Sequence, residues 1–359
     1  MNDRLGRFGP RELFAVTAVC TLVLGCFSIR DPGSFRDGNV SYFATVIALL
    51  LSVLLLRLGI DALKRGGFDG LGDRFRGLPK PIGILLAACG ALSMLLAAVL
   101  PGACFLRALT DFIYVEATPA RIVLYCVPCL AILAALGMET LARTGRVLLP
   151  ITLVILAVGL GSDVPLYRAY RLFPLLTDMR HLLFESMQSL LRFLPVVLLL
   201  LVMAPGAQGW RYVQRAGTRG MLLGGALTVL AEVCLALSYR YTELTTLSSP
   251  LYRLVVEIDA DNAAVRFDRI ALFAWTMAAL FGSGCMVYGA SLLLAKTCSV
   301  RDIRPVAVLL AAAAATAVLL LRALYDAGWQ VASLIGTAGA ALSVLPLSGL
   351  LGRRNRCED

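Results

Sequence analysis

The chain has 359 residues, 59% of them hydrophobic and 16% charged, with a mean hydropathy of +0.82 and a formal net charge of +10. That composition excludes a water-soluble globular domain of this size. The basic excess sits between apolar blocks rather than in one patch, so no nucleic-acid partner is expected.

The apolar residues gather into blocks of about 17 to 25, each long enough at about 1.5 Å per residue to cross a hydrocarbon core of about 30 Å. Inside lipid, a helix satisfies its own backbone groups. The sequence therefore predicts an all-α polytopic membrane protein with about ten transmembrane helices, at 12–29, 39–57, 81–106, 120–140, 147–161, 182–204, 220–239, 269–295, 305–322 and 329–351. The whole of 1–359 reads as a single transmembrane domain with the lipid bilayer as its surroundings.

The first block follows Arg4, Arg7 and Arg11 and ends Val23-Leu24-Gly25-Cys26, which could also be read as a lipoprotein signal with a lipidated cysteine. Kept as a span, it lets the charge of every loop agree. Between blocks two and three, Lys64, Arg65, Arg74, Arg76 and Lys80 make a basic, Gly-rich link that belongs on the cytoplasmic side. Arg107 and Asp111, near the outer end of block three, are spaced for an ion pair one turn apart. Cys126-Val-Pro-Cys129 in block four has no histidine beside it and reads as packing, not as a redox or metal site.

The single histidine, His181, precedes block six, where Glu185 and Arg192 share one helix face and are expected at the rim near solvent. Glu232 lies in the middle of block seven. An ionisable group at such a depth costs at least about 2.5–3.5 kcal/mol on the scale measured for Asp, Lys and Arg, and so points to a role. Glu232 is the candidate coupling residue, as a proton relay or switch, with a structural hydrogen bond to a neighbouring helix as the alternative. The segment Arg240–Arg269, which holds Glu243, Glu257, Asp259, Asp261 and Asp268, falls outside, either as a solvated loop or as an amphipathic helix over the entrance. Both termini are expected in the cytoplasm. No nucleophile motif, phosphate-binding loop or metal-spaced cluster is present, so no enzyme, cofactor or metal is expected.

Ten helices divide into two sets of five, an inverted-repeat arrangement that holds ligand near the midplane where two helices are broken. Blocks one and six would correspond. Gly25, followed by Cys26 and Ser28, and Pro195 both lie where backbone groups can be freed.

A succession of short motifs runs along the chain. It comprises Thr118-Pro119, Gly137-Met138-Glu139 through Arg143, Pro150, Leu172-Phe173-Pro174, then Tyr252 to Ile258, Arg266-Phe267-Asp268-Arg269-Ile270, Trp275 and Tyr288. In order and spacing this resembles the spore germination permease family, the B subunits of nutrient germinant receptors, within the amino acid-polyamine-organocation superfamily. The resemblance implies a five-plus-five transporter-like fold. It also implies a sensor for a small nutrient, often an amino acid, working with A and C subunits in the spore inner membrane. The alternatives are an amino-acid permease, proton-coupled through Glu232 and placed in the cell membrane, and an assembly subunit without a ligand of its own. Ligand contacts are implied at Gly25, Cys26 and Ser28, near Met94, at Phe193, Leu194 and Pro195, and at Gly282 to Cys285, Ser283 among them. Where family members commonly carry a Phe-Gly-Glu-like stretch in span six, this chain has Phe193-Leu194-Pro195. Where they often carry a lysine in span eight, it has Phe281-Gly282-Ser283-Gly284.

Overall fold

The structure, a computed structural model, describes residues 8–27, 29, 40–112, 114, 116–173, 179–207, 209–244, 267–323 and 325–351. Ten long helices account for most of them: α1 Pro10–Phe27, α2 Ser41–Gly66, α3 Lys80–Phe112, α4 Pro119–Leu136, α5 Met138–Ser162, α6 Met179–Met203, α7 Trp210–Ser238, α8 Phe267–Thr297, α9 Arg304–Ala323 and α10 Tyr325–Leu351. Nine are long and apolar enough to cross a bilayer, and α10 contains the apolar stretch Val331–Val344. Short 3-10 turns at Val164–Leu166, Ala169–Leu172 and Ala204–Gly206 join them.

Local chemistry explains several ends. Gly67 adopts the left-handed conformation (φ 68°) and donates its N–H to the carbonyls of Leu63 and Lys64, closing α2 just after Lys64 and Arg65, whose charges suit a helix C-terminus. Gly137, at φ 91°, separates α4 from α5 with no intervening loop. Several helices exceed the apolar blocks that announce them. The third block ends at 106, yet α3 continues to Phe112 and carries the Arg107–Asp111 pair at 3.5 Å.

The packing follows a five-plus-five repeat, with α1 to α5 answering α6 to α10. α1 packs most extensively on α7, and α6 on α2, which is the same contact with the halves exchanged. α5 lies against α1 as α10 lies against α6, while α3 meets α8 and α4 meets α9. The α1–α7 seam is built from small residues. A Cβ on Gly220 would lie 2.7 Å from the Phe14 carbonyl oxygen, and one on Gly224 2.5 Å from that of Ala18, so the two backbones touch directly.

The end of the bundle where α1 begins is closed by three contacts. Phe8, fully buried, makes a single bridge to Ala207 and donates its N–H to the Gly206 carbonyl at 3.3 Å. The short helix Leu71–Arg76 inserts Leu71 and Phe75 into the core, with Gly70 against Pro205. From the last turn of α8, buried Lys296 reaches Asp73 of that short helix, Nζ to Oδ2 3.6 Å.

Candidate functional site

Two charges lie deep in the bundle, and they face each other. Arg192 of α6 donates from Nη1 to Glu232 Oε1 of α7 at 2.5 Å and to Thr45 Oγ1 of α2 at 3.1 Å, while Thr45 donates to the same Glu232 oxygen at 3.0 Å. Glu232 and Thr45 are fully buried and Arg192 is 7% exposed. The rim position expected for Arg192 is therefore corrected. α6 begins at Met179, and at about 1.5 Å per residue Arg192 lies about 20 Å along it, well inside the bundle. Glu185, expected at the same rim, is buried as well.

The pair is electrically neutral as a whole, which is how two groups each costly in lipid share one interior. Arginine suits this place because its planar fork holds a carboxylate while a neighbouring hydroxyl takes a second hydrogen bond. One atom is left over. Glu232 Oε2 is buried without a hydrogen-bond partner among the described residues.

Glu232 extends the face of α7 that packs on α1, since Gly220, Gly224, Thr228 and Glu232 follow at four-residue intervals. Thr228 Oγ1 donates to the Gly224 carbonyl at 3.0 Å, and it is the atom that a Cβ on Gly25 would approach to 2.3 Å. The buried Cys26 side chain lies near Thr228, Glu232 and Arg192. Gly25 thus brings the end of α1 onto α7, and Cys26 turns toward the charged pair.

The other residues implied as ligand contacts are placed differently. Phe193, Leu194 and Pro195 are buried, with Phe193 and Leu194 in the largest apolar cluster. Met94, also buried, lies beside Gly289 of α8, where a Cβ would come 3.0 Å from its sulfur. Neither expected helix break occurs among the described residues: α1 is helical through Gly25 to Phe27, and α6 is helical through Pro195. Proline removes one N–H and leaves the Leu191 carbonyl without its usual donor, and close packing on every side keeps the helix whole. Ser28 and the block Tyr252–Arg266 lie outside the described residues, as does most of the acidic segment before α8.

Two cavities lie elsewhere among the described helices. One, small, lies between α1, α5 and α8, lined by Leu22, Val23, Cys26, Phe27, Leu156 and Trp275 together with Thr152 and Ala278. The Phe27 ring closes on those of Phe105 and Trp275 edge-to-face at 5.3 and 5.9 Å. The other is an apolar groove between α3, α4, α8 and α9; Ser283 lines it, and its hydroxyl donates to the Ala98 carbonyl at 3.2 Å. Cys126 faces this groove, and both it and Cys129 are free.

Sequence reasoning singled out Glu232 from its depth in an apolar block. It missed the partners. Arg192 carried a usable signal, a second charge inside another block; Thr45 carried none, because a threonine in a membrane helix ordinarily bonds its own backbone.

The fold is that of known transporters. A Na+-coupled sialic acid symporter, solved substrate-bound and outward-open, superposes with a TM-score of 0.67 at 11% identity, over 96% of this chain and 78% of the symporter. A manganese transporter of Eremococcus coleocola, solved with an aromatic bis-isothiourea compound, gives 0.63 at 14% identity over 96% and 82%. No curated protein matches the sequence. The profile of the spore germination protein family matches residues 41–325, from the start of α2 to the first residue of α10. This multi-pass, permease-like membrane protein belongs to the spore germination protein family.

Proposed function

We propose that this chain is the membrane subunit of a germinant receptor: it binds a small nutrient, an amino acid, in the spore inner membrane and passes the resulting bias to A and C subunits. The observation that carries this reading is the family match over residues 41–325 of a transporter-like fold. A receptor needs two arrangements of its helices and a ligand that binds one of them better. The charged contact joining α2, α6 and α7 supplies an element that can be made or broken as a unit. In this orientation the end closed by Phe8 and the short helix faces the cytoplasm, because Lys64, Arg65, Arg211, Arg215 and Arg219 gather beside it. No chemical step is assigned to the chain.

Deleting the chain in its spore-forming host and measuring dipicolinic acid release across amino acids, sugars and nucleosides tests this reading. Loss of response to one nutrient, restored by complementation, supports it; an unchanged response to all of them overturns it. A second reading, an amino-acid permease, is favoured by one atom: the open oxygen of Glu232 can take a proton that travels with a substrate. Accumulation of labelled amino acid in sealed vesicles would support the permease over the sensor.

A further inference from the structure

α2 and α7 run antiparallel along one seam, with Thr45 against Glu232, Leu49 against Gly225 and Leu56 against Gly217. At the end of the bundle where α1 begins, both helices continue past their apolar stretches, α2 from Arg57 to Gly66 and α7 back from Arg219 to Trp210, about 13 Å in each case. From Arg57 to the far end of α2 is about 24 Å, and from Arg219 to that of α7 about 28 Å, close to the hydrocarbon thickness of about 30 Å. Arg57 and Arg219 therefore stand where hydrocarbon gives way to headgroups.

The two extensions are basic on their outer face. Residues 57–66 and 210–219 hold Arg57, Lys64, Arg65, Arg211, Arg215 and Arg219 against a single acid, Asp61. Arg57 and Lys64, one and eight residues beyond Leu56, are turned about a quarter of a turn from the α7 contact; Arg211, six residues before Gly217, is turned about a third of a turn from the α2 contact. Because the helices are antiparallel, both rotations open on the same outer side of the seam, and all three side chains are exposed, as is Arg215. The same faces continue into the hydrocarbon as exposed leucines, Leu50 and Leu54 on α2 and Leu222 on α7. Exposed Tyr212 adds an aromatic ring of the kind that favours the membrane interface. Cations at headgroup depth above leucines at tail depth match the polarity of one phospholipid.

We propose that this seam binds an anionic phospholipid, with its phosphate between Arg57 and Lys64 of α2 and Arg211 and Arg215 of α7, and its tails along the leucines. Guanidinium forks hold phosphate oxygens in pairs, which suits a headgroup shared by two helices. Depth favours lipid over an acidic protein. A partner arriving from water meets Lys64 and Arg211 first, whereas Arg57 lies where the phosphates of the bilayer already are. Nothing in this site depends on the receptor reading. A lipid gripped by both helices ties their seam about 18 Å along α2 from Thr45, whose hydroxyl donates to Glu232, so the anionic content of the membrane bears on the same helix pair as the buried charges.

The test uses the full chain purified in a neutral detergent, with phosphatidylglycerol and phosphatidylcholine of the same acyl chains as probes and bound lipid read by native mass spectrometry. Phosphatidylglycerol should bind about ten- to a hundredfold tighter than phosphatidylcholine, the gain expected from a few basic residues at the headgroups. R57Q/R211Q/R215Q should lose that preference and still melt near the wild-type temperature, because all three side chains are exposed. R146Q/R301Q/R304Q removes as many exposed arginines elsewhere on the chain and should keep the preference. No preference in the wild type overturns the proposal, as does equal loss in the two triple variants, the mark of general attraction to a basic protein. Competition by glycerol 1-phosphate as strong as that by the lipid overturns it in favour of a soluble phosphate. Binding of poly-L-glutamate that displaces phosphatidylglycerol and is lost in R57Q/R211Q/R215Q overturns it in favour of an acidic protein.

Discussion

α6 and α4 are both apolar enough to cross a bilayer, and they occupy opposite environments. In α6, 89% of the apolar stretch is buried inside the bundle; in α4 the figure is 17%, and Leu124 and Tyr125 point outward. Hydrophobicity does not separate the two, because lipid and a protein interior are equally apolar. Their polar residues do. α6 carries Glu185, Ser186, Ser189 and Arg192, all buried, whereas within α4 the charged residue is Arg121 in the first turn. A charge at midspan is tolerated where protein groups receive it, so its presence marks the helix that runs through the centre.

The sharpest way to break this comparison is to remove one member of the central pair. Arg192→Ala or Glu232→Ala should each destabilise the protein by about 3–5 kcal/mol, because the remaining charge is buried alone. Unfolding in detergent, followed by fluorescence-detected size exclusion after heating, would show a large fall in melting temperature for each single variant. Arg192→Met with Glu232→Leu should recover most of it. If the single variants melted like wild type, the pair would contribute no net stability and the contrast between α6 and α4 would lose its cause.

The α1–α7 seam comes next. Gly224→Ala places a methyl group 2.5 Å from the Ala18 carbonyl oxygen, a backbone atom that cannot turn aside, and should cost about 1–3 kcal/mol by overpacking. Gly161, at the end of α5, has nothing within 4 Å of its added Cβ; Gly161→Ala should leave melting unchanged and serves as the matched control.

How much of this was legible follows from the same physics. Ten apolar blocks and the five-plus-five division could be read because the bilayer imposes length and composition on each helix separately. The resemblance to the germination family rested on residues such as Thr118-Pro119 and Gly137-Met138-Glu139, which stand at helix boundaries, and the family match covers them. Glu232 was visible as an ionisable residue in lipid. Its partner was not, because pairing Arg192 with Glu232 requires the rotation of α6 against α7, and hydropathy carries no rotation. The breaks expected at Gly25 and Pro195 show the same gap. A glycine that opens a helix and a glycine that lets two helices touch look alike in sequence, and Thr228 decides between them.

A smaller effect is expected at the end closed by the short helix. Asp73 is well exposed and its contact with Lys296 is long at 3.6 Å, so Asp73→Asn, which keeps a hydrogen-bonding amide oxygen beside the Lys296 ammonium, should cost about 1 kcal/mol or less. Membrane-impermeant labelling of a cysteine introduced at Phe75 should accelerate when Asp73→Asn is added. An unchanged labelling rate would mean that Leu71, Phe75 and the Phe8–Ala207 bridge close this end without the ion pair.

The smallest effect should appear on α4, and it separates lipid contact from core contact. Leu124 is 68% exposed on a helix that faces the hydrocarbon, so truncating it exchanges side-chain atoms for acyl chain with almost no transfer term. Leu124→Ala should shift stability by less than about 0.5 kcal/mol. Leu199→Ala, on α6 and 1% exposed, should cost about 2–5 kcal/mol because packed helices cannot collapse into the space. The same α4 position should reject a charge: Leu124→Arg meets hydrocarbon with no carboxylate beside it and should cost about 2.5–3.5 kcal/mol. If Leu124→Arg were instead tolerated as Arg192 is, α4 would have to face protein or water at that depth, and the division between a central α6 and a lipid-facing α4 would fail.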